Sequence, residues 1–349
     1  MTDSSGFLGG AAGDFYRAAP APVTAWRAAV LMGPQSHTGR FALAGALLEL
    51  AAEGRTEVGL DELAAHYAAG LLRHLPEAPQ AAAGGSPAVA DFLAVVARES
   101  EGSAALGRPT EELRQAAVRA LPAQALQKFH SPGGGGADLP HRFFEFLQGD
   151  GEPSERVVRL APELLALATG EQAPGLRAEL DARWGIVESS FDPAAGRGLN
   201  EQGLSVDWHT VSLTDASGQR PVAGLTAALI GFQHGRCQLC DDTLDPGDPT
   251  AVDRLFPRSL SDRAPAWRGP DLDGLWNLAP AHADCVEAKG DRLPGAAELQ
   301  RLARRNEAVM QSPIPLRRTL QRPLQRARLH GEHQDRWPTF LLQVFTAGR

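Results

Sequence analysis

Residues 231–240 read GFQHGRCQLC and residues 279–292 read APAHADCVEAKGDR. These two stretches hold every cysteine of the chain, Cys237, Cys240 and Cys285, and His282 stands three positions before the last of them. The frame is Cys-x2-Cys followed by His-x2-Cys. Two short pairs that converge on one point supply the four soft donors that suit a tetrahedral Zn²⁺. The alternative is two unrelated buried thiol clusters, since free cysteine also serves as a small core residue. The spacing favours Cys237, Cys240, His282 and Cys285 as ligands of one structural zinc ion.

Working outward, the segment between the pairs carries AVDRLFPRSL (251–260) and DGLWNLAPAH (273–282), and Lys289-Gly290-Asp291-Arg292 follows the second pair. Taken in register, these residues resemble the zinc-bearing branch of the HNH endonucleases. That family's pattern is a Cys-x2-Cys knuckle, Asp-His-x-x-Pro, Asn-Leu, then a second knuckle running into Asn-x-x-Lys. Asp253 to Pro257 fall at the first of these motifs, Asn277-Leu278 at the second, and Lys289 at the closing lysine. Upstream, Trp26-Arg27, Lys128-Phe129-His130, Phe143-Phe144 and Ala182 to Glu188 resemble the helical N-terminal region of some bacterial HNH proteins.

The resemblance implies a small ββα module that grips one divalent ion and hydrolyses a phosphodiester. It implies a catalytic group of Asp253, Arg254, Asn277 and Lys289, with Mg²⁺ or Mn²⁺ at Asp253 in an active member. Asn277 would brace the loop. Two positions depart from the pattern. Arg254 stands where the family has its general-base histidine, and Val286 where it has an asparagine metal ligand. Arginine has no free lone pair and a pKa above 12, so it cannot accept the proton of an attacking water. Valine offers a metal nothing. His234 and His209 are the alternatives as a substitute base.

The expectation is therefore an HNH-like, DNA-binding protein of bacterial restriction, phage-defence or DNA-processing type, with metal-dependent cleavage weakened or lost. Two alternatives stand beside it. One is an active HNH endonuclease using a substitute base. The other is a subunit in which zinc is purely structural and the helical domain binds a protein partner.

The chain has 349 residues and a formal charge of −8, so the whole molecule does not read as a nucleic-acid binder. The charge is unevenly spread. From Arg301 onward there are ten arginines, no lysine and three acids. Such a tail is either a phosphate-contacting surface or a solvated helix face. Arg258, Arg292, Arg317, Arg318, Arg322 and Arg326 are the expected nucleic-acid contacts.

The fold class is mainly α with a small α+β module. Residues 1–24 are expected to form a flexible lead-in, 25–191 a helical domain, 192–223 a linker, 224–295 the HNH-like zinc module, and 296–349 an Arg-rich helical tail. Helical periodicity runs through Arg40–Ala52, from Asp61, from Ser86-Pro87, from Pro109, and over Pro174–Phe191, while Val157–Leu160 suggests a short strand. Pro132 to Gly136 reads as a surface loop. No apolar run reaches the ~18 residues that span a membrane, and so few cysteines in a metal-type spacing fit a reducing compartment, so the expected location is cytoplasmic. A nucleotide-binding glycine loop and a Gly-x-Ser-x-Gly elbow are both missing, which leaves NTPase and serine-hydrolase chemistry without support.

Overall fold

In the computed structural model the described residues are 10–133, 138–147, 156–193, 196–215, 217–218, 220–263, 269–329 and 335–347. They are mainly helical with small antiparallel sheets. The chain divides into two compact units, Met1–Pro193 and Ala194–Arg349. Among the described residues no helix is long and apolar enough to cross a membrane.

The first unit contains α1 (Gly10–Ala18), α2 (Pro22–Leu31), α3 (Gly39–Ala52), α4 (Leu60–His74), α5 (Pro87–Arg98), α6 (Ser100–Leu106), α7 (Glu111–Gln124), α8 (Pro162–Thr169) and α9 (Ala173–Ser189). Proline opens α2, α5, α8 and α9, where its missing N–H costs nothing. The Thr110 hydroxyl caps α7 by accepting from Leu113 N at 3.2 Å. Helix α3 is apolar on every side and lies buried, and Leu63, Tyr67 and Leu71 of α4 form a buried stripe. Strands β1 (Glu57–Gly59), β2 (Phe144–Leu147) and β3 (Val157–Leu160) make an antiparallel sheet with β3 in the middle.

The aromatic residues singled out upstream meet in this core. Trp26 lies 5.2 Å edge-on from Phe143 and 5.5 Å from Phe129 between ring centroids. Two buried arginines are held by their neighbours: Arg27 grips Glu179 with two hydrogen bonds of 2.7 and 2.8 Å, and Arg40 donates to the carbonyls of Ala29, Lys128 and Phe129. These residues hold the unit together.

The second unit begins with α10 (Gly196–Gln202) and an antiparallel sheet of β4 (Ser205–Asp207), β5 (Ser212–Thr214) and β6 (Pro221–Gly224). Next come α11 (Leu225–Ile230), β7 (Thr250–Arg254), α12 (Ser259–Arg263), β8 (Leu278–His282) and α13 (Ala283–Lys289). Helices α14 (Ala296–Met310), α15 (Ile314–Arg326) and α16 (Arg336–Ala347) complete it. Strands β7 and β8 pair antiparallel with Thr250 opposite His282 and Asp253 opposite Ala279, and α13 follows at once, giving a ββα unit.

Two segments differ from the sequence reading. The lead-in is helical from residue 10, because its alanines favour helix and Ala12 and Phe15 are buried; residues 1–9 lie outside the described residues. Where a linker is expected, at 192–223, the chain carries α10 and most of a three-stranded sheet. Its strands are three or four residues long and its turns are polar, so composition hides them. The loop expected at Pro132–Gly136 falls largely outside the described residues, from 134 onward.

Candidate metal centre

The Cys237–Cys240 knuckle is built before a metal is considered. Cys237 N donates to Asp242 O at 2.8 Å, and Asp241 N donates to Cys237 O at 3.0 Å with Asp241 in the left-handed region (φ 70°). Gln238 N donates to Pro280 O at 3.1 Å, which ties the knuckle to β8. The second pair follows because β8 ends at His282 and α13 starts at Ala283, placing Cys285 on the first turn of that helix.

The ligand atoms of Cys237, Cys240, His282 and Cys285 all lie within 4.8 Å of one another. His282 Nδ1 is 3.4 Å from Cys240 Sγ and 3.9 Å from Cys285 Sγ. A tetrahedral zinc with ordinary Zn–S and Zn–N bonds sets such S···N edges at about 3.5 Å. His282 Nε2 donates to Thr243 O at 3.1 Å, which leaves the Nδ1 lone pair facing the sulfurs. The Cys237 sulfur accepts from the backbone N–H groups of Leu239 and His282, each at 3.4 Å. Burial pushes the Cys237 thiol up, but its backbone donors more than offset that, and the net direction is downward, toward the thiolate a metal needs. The donor set and its spacing therefore fit a metal ion such as zinc.

Asp253 sits three residues from Thr250, at the other end of β7, about 10 Å away at strand rise. It is buried, and Lys289 Nζ reaches it from the last turn of α13 at 3.2 Å from Oδ1 and 3.1 Å from Oδ2, while also donating to Arg254 O at 2.9 Å. Burial raises the Asp253 carboxyl pKa, opposed by the Lys289 charge. Asn277 is fully buried and spans the loop: Oδ1 accepts from Phe256 N at 2.8 Å, and Nδ2 donates to Phe256 O at 2.9 Å and Leu272 O at 2.8 Å. Arg254 donates from Nε to Asp273 Oδ1 at 2.5 Å, and its guanidinium lies 3.6 Å from the centroid of the Trp208 ring. Val286 lies on α13, between the metal-site turn and Lys289.

Trp208 and Asp273 are contributors that the motif reading does not contain. Trp208 follows β4, and no local signal links it to Arg254. Of the two alternative bases, His209 is exposed beside Trp208, and His234 ends the turn before the knuckle at φ 57°.

The expected nucleic-acid contacts divide. Arg292 is paired with Glu298 through bonds of 2.8 and 2.5 Å. Arg318 and Arg322 donate to Asn200 O at 3.1 Å and Gln202 O at 2.9 Å, capping the C-terminal end of α10. Arg258, Arg317 and Arg326 are exposed. Two further arginines of the tail serve the metal centre: Arg301 donates to the knuckle carbonyls of Gln238 and Leu239, and buried Arg305 donates to those of Leu275, Trp276 and Leu278.

The site is thus a Cys3His ligand cluster on a ββα hairpin with a neutralised carboxylate at the opposite end. No family model matches the chain, and no curated protein or solved structure matches it.

Proposed function

We propose that this chain is a nucleic-acid-binding protein whose zinc-stapled ββα module is of the HNH type, with the hydrolytic centre replaced by internal ion pairs. One observation carries the reading. The residue at the general-base position, Arg254, is a guanidinium lying over the Trp208 ring and bonded to Asp273. It cannot take a proton from water. A cation at Asp253 would also have to displace Lys289, which is 1% exposed and bonded to the same carboxylate. A lost general base alone costs about 10²–10⁴ in rate.

What remains suits duplex DNA. Exposed Arg258, Arg317 and Arg326 offer sequence-blind phosphate contacts. Zinc, when bound at the Cys3His cluster, holds the hairpin and knuckle in register and takes no part in chemistry.

The test is a supercoiled-plasmid nicking assay with Mg²⁺, Mn²⁺ and Ni²⁺, run beside a DNA-binding titration over a salt series. The expected result is salt-sensitive binding without nicking above the metal-free background. The double variant Arg254→His with Val286→Asn is expected to gain metal-dependent nicking, and either change alone to gain less. Rapid wild-type nicking that Asp253→Ala abolishes would overturn the reading and assign the chain an active nuclease with a substitute base. Absence of any DNA binding would leave the zinc module purely structural.

A further inference from the structure

The Asp273 carboxylate stands between two guanidinium groups. Oδ1 accepts from Arg254 Nε at 2.5 Å, and Oδ2 faces Arg258 Nε at 4.0 Å. The Arg254 and Asp273 side chains are 27% and 29% exposed and that of Arg258 is 71% exposed, so solvent reaches the cluster. The Arg254 guanidinium carbon lies over the Trp208 ring, 3.6 Å from its centroid, and the indole Nε1 is buried with no acceptor among the described residues.

We propose that Arg254, Arg258 and Trp208 form a phosphate subsite for a nucleic-acid strand, and that Asp273 is its internal occupant, displaced when the phosphate arrives. The proposal rests on the nucleic-acid-binding reading above. A carboxylate and a phosphate present oxygens of like charge and spacing to a guanidinium fork, and two guanidiniums around one anion is an arrangement a phosphate also takes. Contact with the Trp208 ring restrains Arg254 and favours its cationic form beside an anion. Asp273 N donates to Asp271 Oδ1 at 3.0 Å and Trp276 Nε1 donates to Asp271 O at 2.9 Å, which holds the loop. Asp273 can therefore leave by rotating its own side chain.

Charge predicts which phosphate wins. The triad of Arg254, Arg258 and Asp273 is net +1. An internal phosphodiester replaces the Asp273 charge like for like. A terminal phosphomonoester carries about −1.5 to −2 and neutralises the pair of arginines more fully. The subsite is thus expected to prefer a 5′-phosphorylated end, with Asp273 screening out weaker anions.

The experiment is fluorescence anisotropy on the full chain, with short 3′-labelled single-stranded oligonucleotides bearing either a 5′-phosphate or a 5′-hydroxyl. Asp273→Asn is expected to tighten binding of both about two- to fivefold, the scale of one part-exposed charge pair. The wild type is expected to favour the 5′-phosphate. Adding Arg254→Gln to Asp273→Asn should erase the gain. Zinc content checks folding, and Arg258→Gln, on an exposed side chain, gives a second reading by weakening wild-type binding. Wild-type binding that Asp273→Asn leaves unchanged or weakens would overturn the subsite and spare the nucleic-acid reading. Tightening without a 5′-phosphate preference would retain the subsite and assign it to internal phosphates. No binding of these strands by either protein would overturn the subsite, while the duplex titration over the salt series, run beside it, decides the nucleic-acid reading separately.

Discussion

Lys289 Nζ lies 3.2 and 3.1 Å from the two oxygens of Asp253, with the two side chains only 1% and 7% exposed. A buried pair of this kind need not add stability over an apolar pair, but breaking it strands a charge. Lys289→Met is expected to destabilise the second unit by about 3–5 kcal/mol in urea unfolding. Asp253→Asn with Lys289→Met should recover a large part of that loss. The Asp253 carboxyl already titrates above its usual range, because burial outweighs the Lys289 charge. Without Lys289 it rises further, so the deficit should shrink as the pH is lowered and the carboxyl takes a proton. A deficit independent of pH would mean that lost packing, not stranded charge, causes it.

Purified protein is expected to carry about one zinc per chain. Cys240→Ala or a strong chelator should remove it and unfold the ββα module, since structural zinc supplies folding energy to small modules. The environments of Trp208, Trp276 and Trp337 should change while Trp26 and Trp184 keep theirs, as the two groups lie in different units. Less than half an equivalent of zinc from zinc-replete cells would sink the ligand assignment.

The tail arginines should separate into two classes. Arg317→Ala with Arg326→Ala removes exposed charges and is expected to reduce the slope of log affinity against log salt by about 1–2 with no change in stability. Arg318→Ala with Arg322→Ala removes caps from the α10 carbonyls at Asn200 and Gln202 and should cost the second unit about 1 kcal/mol. Equal effects of the two pairs on both readouts would show that the division is unreal.

His130 gives the first unit a pH signature. Its ring is buried, Nε2 accepts from Phe143 N at 2.9 Å, and burial pushes its pKa down to about 4. The unfolded chain takes up this proton near pH 6.5, the folded chain only near 4. Protons therefore favour unfolding across that window, and the contribution is intact above about pH 6.5. Stability of the unit should fall by about 3 kcal/mol as the pH drops through it. His130→Gln should flatten this dependence, and an unchanged profile in that variant would exclude His130 as its source.

The parts of this fold that depend on neighbours in sequence can be read from sequence. The helix expected over Pro174–Phe191 is α9, and the strand expected at Val157–Leu160 is β3. The two cysteine-bearing pairs converge as their spacing requires, because each pair sits on a tight turn or a helix start. Relationships across long separations have no such signal. Trp208 reaches Arg254 over 46 positions, and Arg305 reaches back to Leu275, with nothing in composition to mark either. Net charge misleads for the same reason. It counts Arg301, Arg305, Arg318 and Arg322 as solvated cations, whereas each is bonded to backbone carbonyls. Short strands such as β4 and β5 escape because three residues are too few to show alternation.

Arg301 and Arg305 lie C-terminal to Cys237, Cys240, His282 and Cys285, so the ribosome delivers both halves of the candidate metal centre before the side chains that close over it. While α14 is still in the exit tunnel, the carbonyls of Gln238, Leu239 and Leu278 lack their arginine donors. Metal capture can begin on the nascent chain once Cys285 emerges, and Arg305 then seals an assembled hairpin. Zinc supply during synthesis, rather than after release, would then govern how much of the protein reaches its folded form.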